Sequence, residues 1–112
     1  MIVEFTPAGA PMMILTACPH HKLTDAASIK VLTKDQAETD HLWNALVADG
    51  GEEGQCGWLL DRFGVSWQIL PEDLSRLLGQ PDRGAGERAQ AAMMQMSKID
   101  ITVLEAAARE PA

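Results

Sequence analysis

The tightest constraint on the fold is a change of hydrophobic period between residues 28 and 51. From Ser28 to Leu32 the chain alternates, with Ile29 and Val31 on one face and Ser28, Lys30 and Leu32 on the other, the pattern of a strand. Directly after it, Thr39, Leu42, Trp43 and Leu46 recur at i, i+3, i+4 and i+7, which sets them on one helical stripe. Thr33 is placed to cap that helix, with Gln36 as its capping-box partner. Gly50-Gly51 ends it, because glycine accepts the left-handed C-cap conformation without a Cβ penalty. Two more strand runs follow, Cys56 to Leu60 and Val65 to Leu70, joined by Asp61-Arg62-Phe63-Gly64. Pro71 stops the second, since it cannot donate to a ladder. In that run Val65, Trp67 and Ile69 share one face, and Ser66, Gln68 and Leu70 the other. If Ile29, Val31, Trp67 and Ile69 pack under the helix, then Ser28, Lys30, Ser66 and Gln68 line the concave side.

The flanks are simpler. Ile2-Val3-Glu4-Phe5 and Met12-Met13-Ile14-Leu15 surround Pro7-Ala8-Gly9-Ala10-Pro11 and read as a β-hairpin. Beyond Pro71 the pattern is helical: a short turn around Asp73 to Leu78, then Glu87 to Met96, then Ile101 to Arg109 capped by Asp100. The order β-β-β-α-β-β followed by helices is α+β. At 112 residues the chain is one domain.

Composition excludes more than it assigns. Nine Lys and Arg against 16 Asp and Glu give a formal charge of −7, which argues against nucleic acid and anionic membrane as partners. Three Trp, two Phe and no Tyr leave few platforms for stacked bases. No apolar run approaches the roughly 20 residues that cross a bilayer. Leu15-Thr16-Ala17-Cys18 has the look of a lipoprotein processing site, but Glu4 sits where positive charge belongs and Pro7, Gly9 and Pro11 break the apolar region. Cys18 and Cys56 are expected to be reduced thiols in a cytoplasmic protein.

Single residues with chemical potential each have a plainer reading. His20 and His21, with Cys18 and Asp25, lack the spacing of a zinc site. His41, flanked by Glu38 and Asp40, belongs to the solvent side of its helix. Gly54-Gln55-Cys56-Gly57-Trp58 is superficially similar to a thiol-protease nucleophile, yet all three histidines precede Cys56, and a small thiol in a cavity wall fits better. Glu52-Glu53 diverge as neighbours and read as solvated charge. Met93, Met94 and Met96 read as adaptable core packing. Gly79, Gly84 and Gly86 follow no strand and precede no Gly-Lys-Ser/Thr, so they make no phosphate loop.

The run from Gly50 to Pro71, GGEEGQCGWLLDRFGVSWQILP, resembles the PhnB-like or 3-demethylubiquinone methyltransferase-like proteins of the glyoxalase/bleomycin-resistance/dioxygenase (vicinal oxygen chelate) superfamily. Pro19 to Ala26 is similar to the segment before that family's fifth strand, and Met93 to Ile101 to its C-terminal helices. The resemblance implies βαβββ modules curled into a cup, from a bacterial source. It also implies an incomplete first module, because the opening strand–helix–strand of the family has no counterpart. Residues 1–17 would be the remnant hairpin of the first module, 26–71 the complete second module, and 72–112 the C-terminal helices. A cup with an unpaired edge is expected to close in a homodimer.

The metal ligands of relatives map poorly. The first falls in the absent segment, the second near Leu15-Thr16 and the third around Ala26 to Ser28. The fourth, a glutamate in relatives, matches Gln68, which is neutral and a poor ligand for a hard cation. No metal and no cofactor are therefore expected, and no glycine-rich turn supports S-adenosylmethionine binding. The expected function is binding of a small polar or anionic molecule in a dimer-completed cavity. Gln68, Ser66, Lys30 and Ser28 would contact it, with Cys56 and Trp58 as cavity wall. The rival expectations are a lyase, isomerase or methyl-transfer enzyme of the same superfamily, and a truncated non-catalytic paralogue.

Overall fold

The computed structural model describes residues 1–16 and 22–109. Cys18, His20 and His21, and with them the Leu15–Cys18 processing-site pattern, lie wholly or partly outside the described residues.

Two sheets form. Strands β1 (Ile2–Phe5) and β2 (Met12–Leu15) make an antiparallel ribbon with Ile2 opposite Leu15 and Phe5 opposite Met12. Its turn opens on Pro7, where a fixed φ suits the first helical position, and closes with Ala10 N–H donating to the Pro7 carbonyl at 2.9 Å. All eight strand residues of the ribbon are exposed.

The second sheet contains β3 (Ile29–Thr33), β4 (Glu52–Glu53), β5 (Trp58–Leu60) and β6 (Ser66–Pro71) in the order β3-β6-β5-β4. With helix α1 (Gln36–Val47) between β3 and β4, this is a βαβββ unit in which β3 runs parallel to β6 and the remaining pairs are antiparallel. Strand β4 goes beyond the sequence reading, which took Glu52-Glu53 as solvated charge. The radius of gyration is 16.4 Å, against about 13 Å for a compact chain of this length.

One core lies between α1 and the sheet. Trp43, 1% exposed, packs on Leu59 and Ile69, with Val31, Leu42, Leu46 and Trp67 around them. The stripe through Leu42, Trp43 and Leu46 thus meets the sheet face carrying Val31, Trp67 and Ile69. The cap differs from expectation. Thr33 is the last residue of β3, fully buried, and its hydroxyl meets the Thr39 hydroxyl at 2.6 Å. Asp35 caps α1 instead, accepting from Glu38 N–H at 2.8 Å. Pairing with Pro71 commits Thr33 to the strand, so the next short acceptor takes the helix end. Gly51 is needed for space: a Cβ there would lie 2.6 Å from Val47 Cα and 2.8 Å from the Leu60 carbonyl oxygen.

A second core is helical. Helices α2 (Leu74–Leu78), α3 (Arg83–Met93) and α4 (Ile101–Arg109) enclose Leu74, Leu77, Ile99 and Leu104, with Met93 and Met96 packed against them. Helix α3 begins four residues before the expected Glu87, because Asp82 caps it by accepting from Ala85 N–H at 3.2 Å. Asp100 meets its expected role at α4, accepting from Val103 N–H at 3.2 Å. The two cores are joined by Gln36. Its amide donates to the Ile99 carbonyl at 2.9 Å and accepts from Ile101 N–H at 2.8 Å.

Candidate functional site

Strand register determines which residues share the face opposite α1. Glu52 pairs with Leu60 and Leu60 with Ser66, so these three form one row across β4, β5 and β6. Trp58 pairs with Gln68 and Gln68 with Lys30, forming a second row. Directly paired residues point to the same side of a sheet. The opposite face holds Leu59, Trp67, Ile69 and Val31 under α1, together with Glu53, whose Oε1 accepts from the buried Trp43 indole at 2.7 Å. One end of the open face is plugged where Leu70 packs into the helical core. The rest carries no helix among the described residues.

A cavity of about 840 Å³ opens on this face. Trp58, Leu60 and Ser66 line it from the sheet, Phe63 from the turn after β5, and residues 22–25 and Glu52-Glu53 complete the lining. A neighbouring pocket of about 370 Å³ shares Ser66 and reaches Ser28. Ser66 is 3% exposed, and its Oγ has no hydrogen-bond partner among the described residues. A buried hydroxyl without a partner is unfavourable, and this oxygen is itself closed to solvent.

The turn that shapes the cavity is held by Asp61. Its Oδ1 accepts from Phe63 N–H at 2.9 Å and Val65 N–H at 3.0 Å, while Oδ2 accepts from the Trp67 indole at 2.9 Å. Gly64, at φ 86°, completes the reversal.

The six residues singled out from sequence are distributed unevenly. Ser66 and Trp58 line the larger cavity, and Ser28 lines the smaller one beside Ser66. Gln68 donates to the Ser28 hydroxyl at 2.9 Å, so its amide is partly engaged within the sheet face. Lys30 is exposed beside Gln68 and outside both cavities. Cys56 is also outside them, with its thiol 3.7 Å from the Met94 sulfur. The β5 strand starts at Trp58 rather than at Cys56 because Cys56 and Gly57 both take positive φ, 58° and 86°. Their N–H groups donate instead to the Met96 and Ser97 carbonyls at 2.8 Å. Asp25, Glu52 and Glu53 are the lining residues that sequence reasoning set aside. For Glu52 the signal was the register that puts it in the row of Ser66, which depends on the short strand β4, while Glu53 belongs to the α1 face.

No group of three His, Cys, Asp or Glu side chains converges among the described residues. At the position where metal-binding relatives would carry glutamate, Gln68 offers a neutral amide already bonded to Ser28.

Comparison with known proteins sets this geometry in context. A family model described as 3-demethylubiquinone-9 3-methyltransferase matches residues 1–70. The PhnB protein from Bacillus cereus superposes with a TM-score of 0.59 at 26% identity, covering 63% of this chain and 64% of that one. Protein PA1353 from Pseudomonas aeruginosa superposes with a TM-score of 0.54 at 26% identity, covering 64% of this chain and 62% of that one. The matched part thus spans less than two thirds of either solved structure. No curated protein matches the chain.

Proposed function

We propose that this chain, which belongs to the 3-demethylubiquinone-9 3-methyltransferase family, is a metal-free binding protein for a small polar molecule. Its cavity is completed by a second copy, and it works in the cytoplasm. The observation that carries this reading is the uncovered sheet face, where Ser66, Trp58, Gln68 and Ser28 stand opposite the side buried by α1. Half of a two-module cup offers one wall to a ligand, and a second copy supplies the other. The ribbon supports the same arrangement. Ile2, Met13, Ile14 and Leu15 are each more than half exposed, an apolar surface that one chain leaves uncovered.

The test is a thermal-shift screen of polar metabolites on the purified protein, run beside a measurement of solution mass. The reading expects a dimer and at least one compound that raises the melting temperature of the wild type but not of Ser66→Ala. A monomer stabilised by no compound overturns it.

A further inference from the structure

We infer that the ribbon of one copy docks on the partner's open sheet face, laying Glu4 on the partner's Lys30 and walling the ligand site from across the dimer. This names the surface through which a second copy completes the cavity, and it rests on the reading proposed above. Register divides the ribbon into two faces. Ile2, Glu4, Met13 and Leu15 share one, and Val3, Phe5, Met12 and Ile14 the other. On the first, Ile2, Met13 and Leu15 are each 57–59% exposed; on the second, Val3, Phe5 and Met12 are 39–41% exposed and Ile14 55%. The face left most open therefore carries Glu4, the only charged side chain in either strand.

The open sheet face offers the counterpart. Beyond the row of Trp58, Gln68 and Lys30, Leu70 pairs with Leu32, and Leu32 is 55% exposed. Lys30 is exposed beside it and outside both cavities. Neither Lys30 nor Glu4 takes part in an ion pair among the described residues. The spacings match as well. Glu4 and Ile2 are two residues apart on β1, as Lys30 and Leu32 are on β3, roughly 7 Å in each strand. A ribbon laid along β3 thus sets Glu4 over the partner's Lys30 and Ile2 over the partner's Leu32 in one register. With β2 towards β6, Met13 covers the partner's Gln68, beside the Trp58 that lines the larger cavity. Each copy gives one ribbon face and receives another, burying on the order of 800 Å² per copy, about what each partner contributes to a stable interface. The ion pair sets orientation and register more than affinity. It counts here because two chains of formal charge −7 otherwise repel each other.

The test is charge reversal on the full chain, with the dimer dissociation constant read by sedimentation velocity. Glu4→Lys and Lys30→Glu, both at exposed positions, should each weaken the wild-type dimer about tenfold or more, because each places like charges at both contacts. Mixing the two single variants should restore a dimer to within about threefold of the wild type, since both contacts of the mixed pair are again opposite in charge. A wild-type dimer that neither reversal weakens overturns the ribbon docking and leaves a dimer of another geometry standing. Recovery in the double variant but not in the mixture places the ribbon on its own chain's sheet and overturns the inference. A wild-type monomer overturns it too, whereas the broader reading falls only if the metabolite screen is also empty.

Discussion

Replacing Asp61 by alanine removes three hydrogen bonds from the turn that shapes the cavity. The Trp67 indole N–H, bound at 2.9 Å, belongs to a half-buried side chain on the α1 face and loses its carboxylate partner. Hydrogen bonds to charged groups contribute roughly 1.5–3 kcal/mol net when shielded. The Phe63 and Val65 N–H groups can turn to water, so their loss adds only a few tenths each. The expected cost is about 2 kcal/mol, or roughly 8 °C of melting temperature for a domain of this size. Urea unfolding followed by tryptophan fluorescence measures it, and Trp67 itself reports the change. Asp61→Asn keeps one acceptor oxygen and should cost about half as much. If Asp61→Ala costs less than about 0.5 kcal/mol, the ordinary range for surface substitutions, the carboxylate does not organise the turn.

Three other perturbations follow from the packing. Gln36→Ala should cost about 1–3 kcal/mol, because both the Ile99 carbonyl and Ile101 N–H lose their partner; hydrogen exchange at the start of α4 should accelerate, and unchanged exchange would refute the link. Gly51→Ala should cost at least about 2 kcal/mol in chemical denaturation, since the new Cβ would lie 2.6 Å from Val47 Cα; a neutral result would mean this loop shifts freely. The Gln36 amide, and after it the Lys98 ammonium, holds the Asp40 carboxyl below its ordinary value. A depressed folded-state value means this stability is fully present above about pH 4 and is lost as pH falls through the lowered value. Carboxyl NMR titration should therefore show Asp40 titrating higher in Gln36→Ala than in the wild type.

The sequence showed the sheet faces better than the site. Period-two alternation in β3 and β6 and the stripe on α1 put Val31, Trp67 and Ile69 beneath Trp43, because burial is decided by those patterns over several residues. The helix cap was misread at Thr33, whose hydroxyl is used by Thr39 once β3 extends to pair with Pro71. The carboxylates of the cavity were harder to find. Glu52 gains its place from a two-residue strand with no pattern of its own, and its relation to Ser66 exists only through the register of β5. Cys56 looked like strand and proved to sit in a left-handed turn, a departure that alternation does not reveal. Gln68 and Lys30 were placed on the right face, but the cavity on that face opens at the other end, towards Glu52 and residues 22–25.

The central claim is that one chain supplies half of a cup. Light scattering on the purified protein, repeated with Ile2 and Ile14 changed to lysine on the ribbon, tests it most directly. The account predicts a mass of two chains for the wild type and of one chain for the ribbon variant. A wild-type monomer that still binds its ligand would contradict it.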